Sequence, residues 1–82
     1  MLELRPNCEN CDIDLAPDSP EAMICTFECT FCRPCVEGVL HGRCPNCGGD
    51  LQQRPSRPAH LLERHPASTR RVFKPVAMRP TP

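Results

Sequence analysis

Eight cysteines in short-spaced pairs constrain this 82-residue chain more than any other feature: Cys8-x2-Cys11, Cys25-x3-Cys29, Cys32-x2-Cys35 and Cys44-x2-Cys47. Thirteen residues separate Cys11 from Cys25, two separate Cys29 from Cys32, and eight separate Cys35 from Cys44. Two residues between thiolates let a tight knuckle aim both sulfurs at one ion while backbone amides point at the sulfurs. Eight such ligands make two four-cysteine tetrahedral sites, the pattern of structural zinc, so two Zn2+ per chain are expected. All-sulfur ligation also admits iron, and a chain this rich in cysteine could instead form disulfides. The opening Met-Leu-Glu-Leu-Arg-Pro-Asn has neither a basic stretch nor an apolar core. No export signal is therefore expected, and a cytoplasmic, reducing setting favours metal over disulfides. A closed four-thiolate shell has no open coordination position. The metal is then a staple rather than a Lewis acid, and no catalytic or organic-cofactor residues are expected.

A chain this short needs such a staple. A dozen sizeable apolar side chains lie before Gln53, among them Leu2, Leu4, Ile13, Leu15, Phe27, Phe31, Val36 and Leu40. They are too few to offset the entropy of ordering that segment, so the head is expected to be unfolded without metal. Composition changes sharply after Gln53. Residues 1–53 hold nine acids against three bases, whereas residues 54–82 hold seven bases against Glu63 alone, with six prolines. The formal net charge of zero thus hides an acidic head at −6 and a basic tail at +6. The expected organisation is a zinc-binding domain over 1–53 and a disordered or polyproline-like Pro/Arg tail over 54–82. The longest apolar run, Ala22–Cys25, is too short to cross a bilayer.

A coarse reading places the ligands on an α+β frame. Asn7–Asp12 forms the first knuckle, and Pro17-Asp18-Ser19-Pro20 reads as a turn-rich loop. Ala22–Phe27 reads as a strand, and Phe27, Cys29 and Phe31 alternate as in a second strand paired with it. Pro34 suits the first turn of a helix in which Val36, Val39 and Leu40 form an i, i+3, i+4 apolar stripe. Gly42 is its expected stop. Cys44-Pro45-Asn46-Cys47-Gly48-Gly49 is the last knuckle. A knuckle, a hairpin and a helix opening on two ligands make a treble-clef arrangement. A helix reaching His41 carries the chain about 9 Å from Cys35, and only Gly42 and Arg43 then precede Cys44. Cross-braced pairing is therefore expected, with Cys8, Cys11, Cys32 and Cys35 on one ion and Cys25, Cys29, Cys44 and Cys47 on the other. Sequential pairing is the alternative.

The spacing resembles a RING finger written with cysteine throughout. Cys29-Thr30-Phe31-Cys32 is similar to its ligand-x-Phe-Cys element, with Cys29 in place of the usual histidine, and Cys44-Pro45-Asn46-Cys47 to its closing Cys-Pro-x-Cys. More closely, the run from Met1 to Cys8, the stretch Met23–Cys32 and the closing Cys-Pro-Asn-Cys-Gly-Gly resemble a bacterial family of small cysteine-rich proteins classed as a domain of unknown function, over about residues 1–58. That resemblance implies a fold, a metal and a bacterial cytoplasmic setting, and no established activity. The RING likeness implies ubiquitin-ligase work, but the positions matching its contact surface hold Glu9, Asn10, Val36, Glu37, Gly38 and Gly48. Only Pro45 carries over.

The remaining features have plain readings. Cys32-Arg33-Pro34-Cys35 at a helix start suggests a redox dithiol, but that reading leaves six thiols unexplained. His41, His60 and His65 are expected to face solvent, since the cysteines already complete two shells. Phe27 and Phe31, like Val36, Val39 and Leu40, are expected in the core. Pro55-Ser56-Arg57-Pro58 fits a P-x-x-P motif that this composition makes common by chance. The favoured function is a small, monomeric protein-interaction module. The alternative is a nucleic-acid-associated protein binding phosphate backbones or anionic surfaces through its tail, without the aromatic residues that base stacking needs; the tail could equally be a solubilising segment that hovers over its own acidic head.

Overall fold

The computed structural model describes residues 2–75, so Val76, Met78 and Arg79 of the basic tail lie outside the described residues. Strand β1 (Ala22–Ile24) pairs antiparallel with β2 (Thr30–Cys32) in the register Ala22 to Cys32, Met23 to Phe31 and Ile24 to Thr30. On its other side β1 pairs antiparallel with β3 (Gln52–Gln53), giving the sheet order β2-β1-β3. The hairpin turns through Cys25–Cys29, where Glu28 takes a left-handed φ of 65° and its amide donates to Cys25 O at 3.0 Å. Both strands are shorter than the sequence suggests, because Cys25–Cys29 is spent on this turn. The third strand had no sequence signal: two glutamines become a strand only because Arg54 N donates to Ala22 O at 2.8 Å and holds the chain beside β1.

β2 runs directly into α1 (Arg33–Cys35), with Cys32 as N-cap and Pro34 in the first turn. The chain then widens into a π-helical turn over Val36–Leu40, closed by His41 in the left-handed region at φ 52°. Val36 O accepts from the amides of both His41 and Gly42. The wider i→i+5 winding corrects one sequence expectation. Val36 and Leu40 are buried, but Val39 is rotated off the core face and is exposed. Phe27 is a second correction, since it sits on the hairpin turn and is 71 % exposed.

Cysteines make up nearly half of the apolar core. Phe31, Leu4, Leu15, Ala22, Val36, Leu40 and Leu51 are buried with Cys8, Cys25, Cys29, Cys32, Cys35 and Cys44, while Cys11 and Cys47 reach the surface. Four polar side chains are also buried: Asn7, Glu9, Thr30 and Arg54. A polar group in such a place must be hydrogen-bonded, and these four act as struts. Glu9 accepts from Thr30 N at 2.8 Å, Arg5 Nη1 at 3.0 Å and Asn46 Nδ2 at 3.2 Å. It thereby ties the first knuckle to both the sheet and the last knuckle.

Contacts continue past Gln53. The guanidinium of Arg54 donates to Arg5 O at 2.9 Å and Ala16 O at 2.8 Å. Arg57 donates to Leu2 O at 2.7 Å, Ser68 N to Leu4 O at 2.9 Å and Lys74 N to Glu9 O at 2.7 Å. A short helix α2 (Ala59–Leu62) is the only regular element of this stretch among the described residues. The expectation of a disordered or polyproline-like tail over 54–82 rests on its scarcity of large apolar groups. Its described part, 54–75, lies along the head through hydrogen bonds from arginines and backbone amides to head carbonyls and carboxylates.

Candidate metal centre

The two outer knuckles are built alike. In the first, an antiparallel bridge joins Asn7 to Asp14, Cys8 N donates to Ile13 O at 2.9 Å, and Asp12 N donates to Cys8 O at 2.9 Å. In the last, a bridge joins Arg43 to Asp50, Cys44 N donates to Gly49 O at 2.8 Å, and Gly48 N donates to Cys44 O at 2.8 Å. Each knuckle turns on one left-handed residue, Asp12 at φ 65° or Gly48 at φ 77°. Asp is among the few side chains that tolerate this region. Gly49 has another role: a Cβ there would lie 3.3 Å from Cys47 Sγ, crowding the sulfur the knuckle presents.

Backbone and side-chain amides converge on the sulfurs. The amide two residues after the leading cysteine points at its Sγ in three turns: Asn10 to Cys8 at 3.4 Å, Phe27 to Cys25 at 3.3 Å and Asn46 to Cys44 at 3.4 Å. Gly49 N faces Cys47 Sγ at 3.4 Å, and Asn10 Nδ2 donates to Cys35 Sγ at 3.2 Å. Such donors favour sulfur carrying negative charge.

The sulfurs of Cys8, Cys11, Cys32 and Cys35 all lie within 4.8 Å of one another, and so do those of Cys25, Cys44 and Cys47. Within the first group, Cys11 and Cys32 are 3.6 Å apart. The groups thus combine pairs that alternate along the chain. Cys29 falls outside the mutual 4.8 Å set. Its thiol instead faces Asn46 and Cys25, and Cys29 lines a cleft of about 690 Å3 together with Glu9, Phe27 and Arg70, Val72 and Lys74 of the tail. The three histidines belong to neither group.

Burial pushes several of these thiols up. Cys44 is pushed up to about 12, chiefly by desolvation and further by the thiols of Cys47 and Cys25. Cys32 is raised for the same first reason, with Cys35 and Cys11 adding to it. Cys29 is raised by burial, by Cys25 and by the charge of Glu9, against the opposing Asn46 amide. Cys25 alone moves down: burial works against it, but the amides of Phe27 and Cys29 and the neighbouring thiols outweigh that. Clustered buried thiols resist joint ionisation unless a cation compensates them. Soft donors at this spacing, without competing oxygen ligands, fit a thiophilic metal ion.

Sequence reasoning missed Glu9 and Arg54. Glu9 reads as one more acid of an acidic head and Arg54 as the first base of the tail. Neither carries a local signal, because each gains its role from partners far along the chain.

A small α+β protein with a three-stranded antiparallel sheet, two short helices and two cysteine groups that could hold metal ions is thereby defined. Residues 1–57 match the family described as protein of unknown function DUF1272, and the chain belongs to that family. It is also similar to the uncharacterized protein R02474 of Rhizobium meliloti (strain 1021), with 65 % identity over 80 residues, covering 98 % of this chain and 95 % of the relative. No solved structure matches the chain. No helix among the described residues is long and apolar enough to cross a membrane.

Proposed function

We propose that the protein is a zinc-stapled, RING-like interaction module of the cytoplasm that carries out no catalysis. One ion is held by Cys8, Cys11, Cys32 and Cys35, and a second by Cys25, Cys44 and Cys47 with Cys29 as the fourth ligand. The observation that carries this reading is the grouping of the cysteine sulfurs, each group mostly buried with one exposed member, Cys11 or Cys47. In this reading the thiols that pack the fold are the ligands, which leaves none of them over for chemistry. When bound, the ion supplies charge compensation and cross-links. The chain's own residues do the rest: amides hold the sulfurs, Glu9 couples the knuckles, and the head over 1–53 presents its surface to a partner while the described part of the tail, 54–75, lies against it.

Two features weigh against the other readings. Glu9, at the position where a ligase presents an apolar contact, is an internal strut and 1 % exposed. Arg54, Arg57 and Arg71 of the tail are engaged with the head, which lowers the charge available for nucleic acid. Native mass spectrometry of the full chain tests the staple, with two zinc ions per chain expected; one or none sinks it. A pull-down with the zinc-loaded chain tests the module. Recovery of nucleic acid in place of protein, lost steeply with added salt, would turn the reading to the tail-borne alternative.

A further inference from the structure

The first knuckle has two faces. Its inner face carries Cys8 and Cys11. Its outer face receives tail residues 71–74. Asn7 holds this segment as a backbone residue would: its Nδ2 donates to Val72 O at 2.8 Å and its Oδ1 accepts from Val72 N at 3.4 Å. Two residues on, Lys74 N donates to Glu9 O at 2.7 Å. Arg71 spans two acids, with Nη1 to Asp14 Oδ1 at 2.7 Å and Nη2 to Asp12 Oδ1 at 2.9 Å, and it also reaches Asp12 O at 2.8 Å. Side chains alternate as in a strand: Arg71 turns to the aspartates, while Arg70, Val72 and Lys74 line the cleft beside Phe27.

We propose that this outer face is a docking groove for an extended segment led by one arginine, that residues 71–74 fill it in cis, and that it is built only when metal holds the inner face. The inference rests on the metal-stapled module reading and names the chemistry of the partner it accepts. Specificity follows from the register. An arginine fork meets two carboxylates, and amide hydrogens are required one and three residues after it, so proline is excluded there. A partner segment of this kind displaces the tail, as in recognition by strand addition.

Dependence on metal follows from shared residues. Asn7, Glu9 and Asp12, which make the groove, flank the ligands Cys8 and Cys11. The Asn7 amide that binds Val72 also donates to Cys8 O at 3.1 Å and Asp12 Oδ1 at 2.8 Å. Asp12 keeps its left-handed turn through the bond of its amide to Cys8 O. Releasing the thiols frees the turn that aims both groove acids.

The test uses the zinc-loaded full chain carrying Arg71→Glu, which sets the tail against Asp12 and Asp14 and empties the groove. A fluorescent peptide of residues 69–75 is titrated and its anisotropy followed. Saturable binding to the variant is expected, at least about tenfold tighter than to the wild-type chain, whose own tail competes at an effective concentration on the order of millimolar. A V72P peptide binds at least about tenfold more weakly, since it lacks the amide that Asn7 accepts. Asp14 is 86 % exposed, so adding Asp14→Asn to the variant leaves the core intact and weakens binding. Chelation abolishes binding. The proposal is overturned by no saturation up to about 1 mM, by equal binding of the V72P peptide, by equal binding to wild type, or by binding that survives chelation. If the peptide fails while the wild-type chain still captures a protein partner, the groove is wrong and the module reading stands.

Discussion

Replacing Arg54 gives the sharpest test of how the head is closed. Its side chain is 1 % exposed, its Nη atoms satisfy Arg5 O and Ala16 O, and its buried Nε has no hydrogen-bond partner among the described residues. Burial correspondingly pulls its pKa down. A hydrogen bond from a charged donor contributes about 1.5–3 kcal/mol net. Arg54→Ala removes two, strands two carbonyls and opens a cavity, so a loss of about 3–5 kcal/mol is expected. That is a large share of the roughly 5–15 kcal/mol that holds a typical domain. Arg54→Met keeps the stem and relieves the desolvated charge, so about half that loss is expected. Arg54→Lys behaves like Met, because a point ammonium cannot span two carbonyls as a planar fork does. Arg57→Ala is the control, a half-buried arginine with one carbonyl of the head, at about 1 kcal/mol. Thermal melts are run at one buffered free-zinc concentration, since ligand binding feeds apparent stability. For a chain this short, the Arg54→Ala melt should fall by at least about 12 °C. A shift no larger than that of Arg57→Ala would refute the claim that Arg54 closes the head.

Two further outcomes follow from the site. Metal uptake at neutral pH should release protons, because thiols such as Cys44, pushed up to about 12, are protonated before binding and must be thiolates after it. Affinity then falls as pH falls, and an affinity independent of pH between about 6 and 8, measured by competition with a chromophoric chelator, would contradict thiolate ligation. Glu9→Gln sets an amide against three donors and should cost about 1–3 kcal/mol. It should also speed metal loss to a chelator, because Glu9 joins the two outer knuckles; unchanged release kinetics would remove that coupling.

Local chemistry determined much of this protein from the chain alone. Cysteines with two residues between them bend into knuckles because nearby amides and a left-handed residue close the turn, and the charge split is a matter of composition. The α+β character, the hairpin and a helix opening at Cys32 and Cys35 all follow from short-range pattern. Tertiary structure decided what depends on distant partners. The swing of Val39 out of the core follows from a π turn that no apolar stripe encodes, and Phe27 is exposed because the hairpin turn is spent on presenting Cys25. Glu9 and Arg54 became internal struts only because backbone groups far along the chain needed hydrogen bonds where water is excluded. The same long-range need draws the described part of a tail with little apolar surface along the head: its amides and arginines find carbonyls and carboxylates already fixed in place by the knuckles.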